Sequence, residues 1–119
     1  MESVKTALLL SVLLTAGCAT NTSLYYWGDY EDMLYDMHIN PGSVDPFTQI
    51  ERLTTDIPQA ESEGKPIAPG VHAHLGMAYA ANGDMPQARS AFLTEKALFP
   101  ESAILIDGLI KRSMPEGAQ

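Results

Sequence analysis

Three histidines and a run of carboxylates are the residues with chemistry to offer. His72 and His74 stand two apart in a stretch that reads as helix, so their side chains point about 200° apart and cannot close on one metal ion. A strand would bring them together, but the surrounding sequence does not support one. His38 falls in another element, and no Cys or Glu stands at the spacing that would complete a ligand set. No metal site is expected; either His72 or His74 instead suits a seam between helices. Asp29, Glu31, Asp32 and Asp36 could supply paired carboxylates for acid–base work or for calcium. They lack the glycine-centred spacing of a calcium loop, and their position fits the first turn and solvated face of a helix. No Gly-rich phosphate loop follows a strand, and no nucleophile elbow is present. The chain therefore reads as a protein that is not an enzyme and needs no cofactor.

The elements that would position these residues centre on the stretch 72–100. Val71, Leu75, Ala78 and Tyr79 recur at helical spacing, with Gly76 and Ala80 as small neighbours. Asn82-Gly83-Asp84 then breaks the pattern. Gly83 can take a positive φ without steric cost, Asp84 is a good N-cap, and Pro86 falls in the first turn of a following helix. That helix carries Ala88, Ala91, Phe92, Leu93 and Leu98 until Pro100 stops it. The expectation is a hairpin of helices at 71–82 and 85–98, with Gly76 and Ala88 where the two approach closely and Tyr79 and Phe92 beside them.

This hairpin resembles a tetratricopeptide repeat. Leu75, Gly76, Tyr79, Gly83, Asp84, Ala88, Phe92 and Pro100 follow that family's pattern across one repeat of about 34 residues. Two positions depart from it: His72 stands at the early Trp position, and Glu95 replaces the usual late Ala.

Ahead of the fold, residues 1–17 read as a leader. Ala7 to Leu14 is apolar but falls short of the roughly 20 residues that span a bilayer. Leu14-Thr15-Ala16-Gly17-Cys18 resembles a bacterial lipobox, although Leu14 lies one position farther from the cysteine than the family prefers. Cys18 is the sole cysteine, so no internal disulfide can form. The resemblance implies that Cys18 is lipidated and becomes the mature N-terminus, held to the membrane by acyl chains whose buried methylenes contribute about 0.8 kcal/mol each. Ala19 after the cysteine resembles an outer-membrane sorting signal. Glu2 and Lys5 cancel within the leader, so the rest of the chain carries the whole net charge of −8. Such a surface repels nucleic acid and anionic headgroups, which leaves membrane attachment to the lipid.

Residues 18–23 read as a short tether. Leu24 to Tyr35 then holds four of the five tyrosines and the one tryptophan. Gly28 separates an extended aromatic lead-in from a helix capped by Asp29, with Tyr30, Met33, Leu34 and Met37 on its apolar stripe. Two readings of the lead-in stay open. Trp27 and its neighbours complete the hairpin core, or Tyr25, Tyr26 and Trp27, with His72, form a partner-binding patch. Asn40-Pro41-Gly42-Ser43 marks a turn. Asp45-Pro46 opens a helix with Phe47, Ile50, Leu53 and Ile57 on one face, which Pro58 should kink or end. Residues 65–70 form a stiff connector. A last helix runs through Ile104, Leu105, Leu109 and Ile110, with Lys111 and Arg112 at its C-terminus.

Taken together, Tyr25 to Tyr35, the Pro-rich connector, the His-Leu-Gly hairpin and Ala97 to Ser102 resemble a family of small Gram-negative lipoproteins of unknown function. That resemblance implies an envelope complex, with a curli-export-channel-like lipoprotein as partner. The sum is an all-α domain of about four or five helices over 24–114, followed by a disordered tail at 115–119. One repeat-like hairpin cannot bury its own faces, since such arrays need about three. The expected role is a lipid-anchored scaffold subunit of the outer membrane, facing the periplasm. The alternatives are an accessory regulator of a peptidoglycan synthase or a binder of cell-wall fragments.

Overall fold

A computed structural model describes Met1 and residues 23–114. The leader, Cys18, most of the tether and the tail at 115–119 lie outside the described residues. Among those described, the fold is all-helical: α1 (Tyr30–Ile39), α2 (Pro46–Ser62), α3 (Val71–Ala81), α4 (Met85–Leu98), a 3-10 turn (Pro100–Ser102) and α5 (Ala103–Ser113).

The α3–α4 hairpin forms where its residues placed it, and its turn is closed by local chemistry. Gly83 takes φ +85°. Its N–H donates to the Ala80 carbonyl at 3.1 Å, and the Asp84 N–H donates to Tyr79 at 2.9 Å. These two bonds satisfy the last carbonyls of α3 in a Schellman arrangement. The Asp84 carboxylate then accepts from the Gln87 N–H at 3.2 Å and starts α4. Gly64 ends α2 in the same way, with φ +66° and a 3.0 Å bond from the Lys65 N–H to Ala60.

Gly76 is required by packing and not by its backbone angles. A Cβ there would lie 2.6 Å from the Phe92 ring, which is fully buried. Phe92 packs with Ala73, Ala88 and Ile106, so α5 closes the far side of the hairpin. The near side buries Leu75, Val71 and Ala91 against Leu53 of α2, Met33 of α1, and Val44 and Ala68 from the connections. Tyr79 touches both clusters, so Leu75 and Phe92 meet through it and not directly.

Two expectations need correction. Phe47 does not join the buried face of α2 and is 64% exposed. The buried stripe runs instead through Gln49, Leu53, Asp56 and Ala60, turned there by the polar partners of Gln49 and Asp56. Of the two outcomes open at Pro58, the helix takes the one in which it runs on, as far as Ser62. Thr54 and Pro58 are both exposed, so water can reach the carbonyl that the missing N–H leaves free. Asp29 sits at the N-cap position of α1, but its side chain makes no capping bond; its N–H instead donates to the Asp56 carboxylate.

Gly76→Ala is expected to destabilise the fold by about 1–3 kcal/mol through overpacking against Phe92. Urea denaturation followed by helical circular dichroism measures it. Pairing the change with Phe92→Leu should recover part of the loss, because the leucine removes the ring atoms that the new methyl meets.

Candidate functional site

The lead-in does not hang free. The Tyr26 N–H donates to the Pro66 carbonyl at 2.8 Å, and Tyr26 pairs with Ile67 in a short parallel bridge. Because side chains alternate along extended chain, Tyr25 and Trp27 both turn toward the hairpin and pack on the near-side core. Trp27 stacks on Tyr30 with ring centroids 6.4 Å apart and planes 17° from parallel. All three lead-in aromatics are half-buried. Gly28 lets this segment turn into α1: its φ is +49°, and a Cβ would lie 2.5 Å from Asp56 Oδ2. That carboxylate, on the buried side of α2, accepts the Asp29 N–H at 3.1 Å. Burial pushes the Asp56 carboxyl above its usual range, and this hydrogen bond opposes the shift.

Beside the lead-in lies an open groove of about 450 Å³. The lead-in and connector give Tyr25, Pro66, Ile67 and Lys65; α2 gives Ile57 and Glu61. The start of α3 gives His72, and the end of α4 gives Thr94 and Leu98, with Phe99 following. Of the partner-binding residues expected from sequence, Tyr25 and His72 come together here. Tyr26 is committed to the connector, and Trp27 lies against Tyr30. Pro100 opens the 3-10 turn just beyond the groove. The exposed acidic residues Glu31, Asp32 and Asp36 lie on α1, away from it.

Glu95 fixes the groove wall. Its side chain is almost completely buried, and its two oxygens accept the N–H groups of Gly70 (2.7 Å) and Ala73 (3.3 Å). Gly70, the N-cap of α3, has no side chain to offer, and φ +95° suits only glycine. A carboxylate from α4 therefore performs the capping and meets the positive end of the α3 dipole. Glu95 was visible in the sequence only as a departure from the repeat pattern.

A second polar seam joins α1, α2 and α3. Gln49 Nε2 donates to the Val44 carbonyl at 2.7 Å, which leaves Oε1 to accept from His74 Nε2 at 2.9 Å. Nδ1 of the neutral ring then faces the Tyr30 hydroxyl at 3.4 Å and accepts from it. His74 thus fills the seam role, while His72 faces the groove. Burial pushes the His74 imidazole below the usual histidine range. Burial also lowers His72, with the charge of Glu95 pulling it partly back. Among the described residues no group of three His, Cys, Asp or Glu side chains is placed to hold a metal.

Two outcomes follow. Glu95→Ala should cost about 1–3 kcal/mol by stranding two amide donors, and Glu95→Gln should cost less because one acceptor remains, both read as urea midpoints. Both histidines are lowered in the fold, so below about pH 6.5 the unfolded chain binds protons that the native chain does not. Stability is full above that pH and is lost as the pH falls through the lowered native values. The urea midpoint should therefore drop between about pH 7 and about pH 5.5, and drop less in His74→Gln.

No curated protein and no solved structure matches the chain. Residues 24–109 match a domain of unknown function, DUF4810. This span takes in the lead-in, both polar seams, the whole hairpin and the first half of α5, and the chain accordingly belongs to the DUF4810 family.

Proposed function

We propose that this chain is a non-catalytic scaffold subunit of a cell-envelope complex, held to the outer membrane by lipidated Cys18 and facing the periplasm. The observation that carries the reading is the groove between lead-in and hairpin. It is open and mainly apolar, with the His72 imidazole, the Thr94 hydroxyl and the Glu61 and Lys65 charges as its polar groups. Aromatic and aliphatic walls with a few polar groups suit capture of a partner's side chains. Leu98 stands exposed at its margin and supplies apolar area that a partner would cover.

The anchor rests on the lipobox resemblance. No described helix is long and apolar enough to cross a membrane. The partner supported by the resemblance of the whole chain is another envelope lipoprotein of the curli-export-channel-like kind.

Capture from detergent-solubilised envelopes tests the reading. The tagged chain should bring down a specific envelope protein, identified by mass. Leu98→Glu, at an exposed position, should cut its recovery about tenfold, a loss expected when a charge enters an apolar contact. Recovery of nothing specific, or equal recovery by the variant, would count against the groove. Retention on purified sacculi without a protein partner would favour the cell-wall-binding role instead.

A further inference from the structure

The helices pack in chain order: α1 on α2, α2 on α3, α3 on α4, and α5 on α4 and α3. The two ends of this row, α1 and α5, each keep an outer face that no described helix covers. On α1 that face carries Tyr35 (65% exposed) and Ile39 (55%), one helical turn apart, opposite buried Met33. Glu31 and Asp32 lie one turn before Tyr35, exposed at the start of the same helix. On α5 the outer face carries Ile104 (90% exposed) and Leu105 (57%), opposite buried Ile106. Gly108 follows one turn later, and Lys111 and Arg112 one turn after that.

Both ends thus leave apolar side chains uncovered, and the charges beside them point to what could cover them. Residues 24–66 hold two cations against nine carboxylates. Residues 84–114 hold four against four, and one of those carboxylates, Glu95, is buried as a helix cap. The chain is therefore polarised, with its acidic end at α1 and its basic helix terminus at α5. The two outer faces also match in spacing. With the helices antiparallel, Ile104 falls opposite Ile39, and the notch at Gly108 falls opposite Tyr35. Lys111 and Arg112 then fall opposite Asp32 and Glu31. The Arg112 guanidinium already lies beside the notch, 3.3 Å from where a Gly108 Cβ would be. Asp107, the other charge on this stretch, is neutralised by Lys96 at 2.7 Å.

We infer that α5 of one copy docks antiparallel on α1 of a second copy, through Ile104, Leu105 and Gly108 against Tyr35 and Ile39, with Lys111 and Arg112 on Glu31 and Asp32. The two surfaces differ, so the contact is head-to-tail and repeats from copy to copy until it closes a ring or extends a row. The groove lies elsewhere, and the contact does not depend on what the groove holds.

Charge exchange tests this contact in the full chain. Copies bearing two different affinity tags are co-expressed and extracted in detergent, and wild-type copies should co-purify. Lys111→Glu with Arg112→Glu in both tagged copies should cut recovery about tenfold or more, since like charges then face each other across the contact. Glu31→Lys with Asp32→Lys in both copies should do the same. One copy of each variant pair should recover wild-type association, because every contact again joins opposite charges. Wild-type copies that fail to co-purify would overturn the inference. So would a mixed pair that stays apart. Full recovery by the Glu31→Lys/Asp32→Lys variant alone would also overturn it, since that would mark a symmetric contact of α5 with α5.

Discussion

The carboxylate of Glu95 under the first turn of α3 is the contact on which the rest of this fold depends. Helix α3 begins at a glycine with no capping side chain, so its first N–H groups need acceptors from elsewhere. Glu95 supplies them from the neighbouring helix and is itself out of water. An isolated buried carboxylate would be costly, but here the α3 dipole and two amide donors hold it. The consequence is geometric. The end of α4 cannot slide along the start of α3, and the connector leading into α3 is fixed with Ala68 buried beneath it. A fixed connector offers the Pro66 carbonyl to the lead-in, which is what places Tyr25 over the groove.

The other buried polar groups act in the same manner at other seams. Gln49 and His74 set the register of α2 on α3, and Tyr30 ties α1 to both. Asp56 holds the backbone where the lead-in becomes α1. The largest wholly buried side chains are few, and Glu95 is among them. Small residues such as Ala73, Ala88 and Ala91 make up much of the remainder. A core this thin gives non-directional cohesion without a strongly preferred alignment. Directional hydrogen bonds are what single out one packing of five short helices.

This division explains what could be read from the sequence. The α3–α4 hairpin was legible because Gly83, Asp84, Pro86 and the Gly76–Phe92 contact are local, with each signal within one turn or one hairpin of its effect. The cap at Asp45 was legible for the same reason, and its oxygens do accept from Phe47, Thr48 and the Thr48 hydroxyl. Glu95, Gln49 and Asp56 were not legible as structural residues. Their contacts across the seams lie 22 to 27 positions away, and only the bond from Gln49 to the Val44 carbonyl is local. Phe47 misled because apolar spacing alone ignores polar residues that have a reason to be inside. The groove was legible only in outline, as a hairpin surface beside the aromatic lead-in, because its lining belongs to five separate stretches, of which only Tyr25 and His72 stood out as binding residues.

Why the apolar residues at the two ends remain outside follows from the same arrangement. Helices of this kind bury an apolar stripe by pairing, and α3 is paired on both sides. Helix α1 has a neighbour on one side only, and α5 fills the place where a further repeat would begin without the second helix that would cover it. Lengthening the chain would bury Tyr35, Ile39, Ile104 and Leu105 within one molecule, as additional repeats do in longer arrays. Among the described residues nothing further packs on α1 or α5, so these side chains stay on the surface, where their cost falls only when something else covers them. The charges flanking them are of opposite sign at the two ends. Acids in the first turn of α1 and bases in the last turn of α5 also suit the dipoles of their own helices, so each set of charges is held at the end of its face where an antiparallel neighbour would meet it.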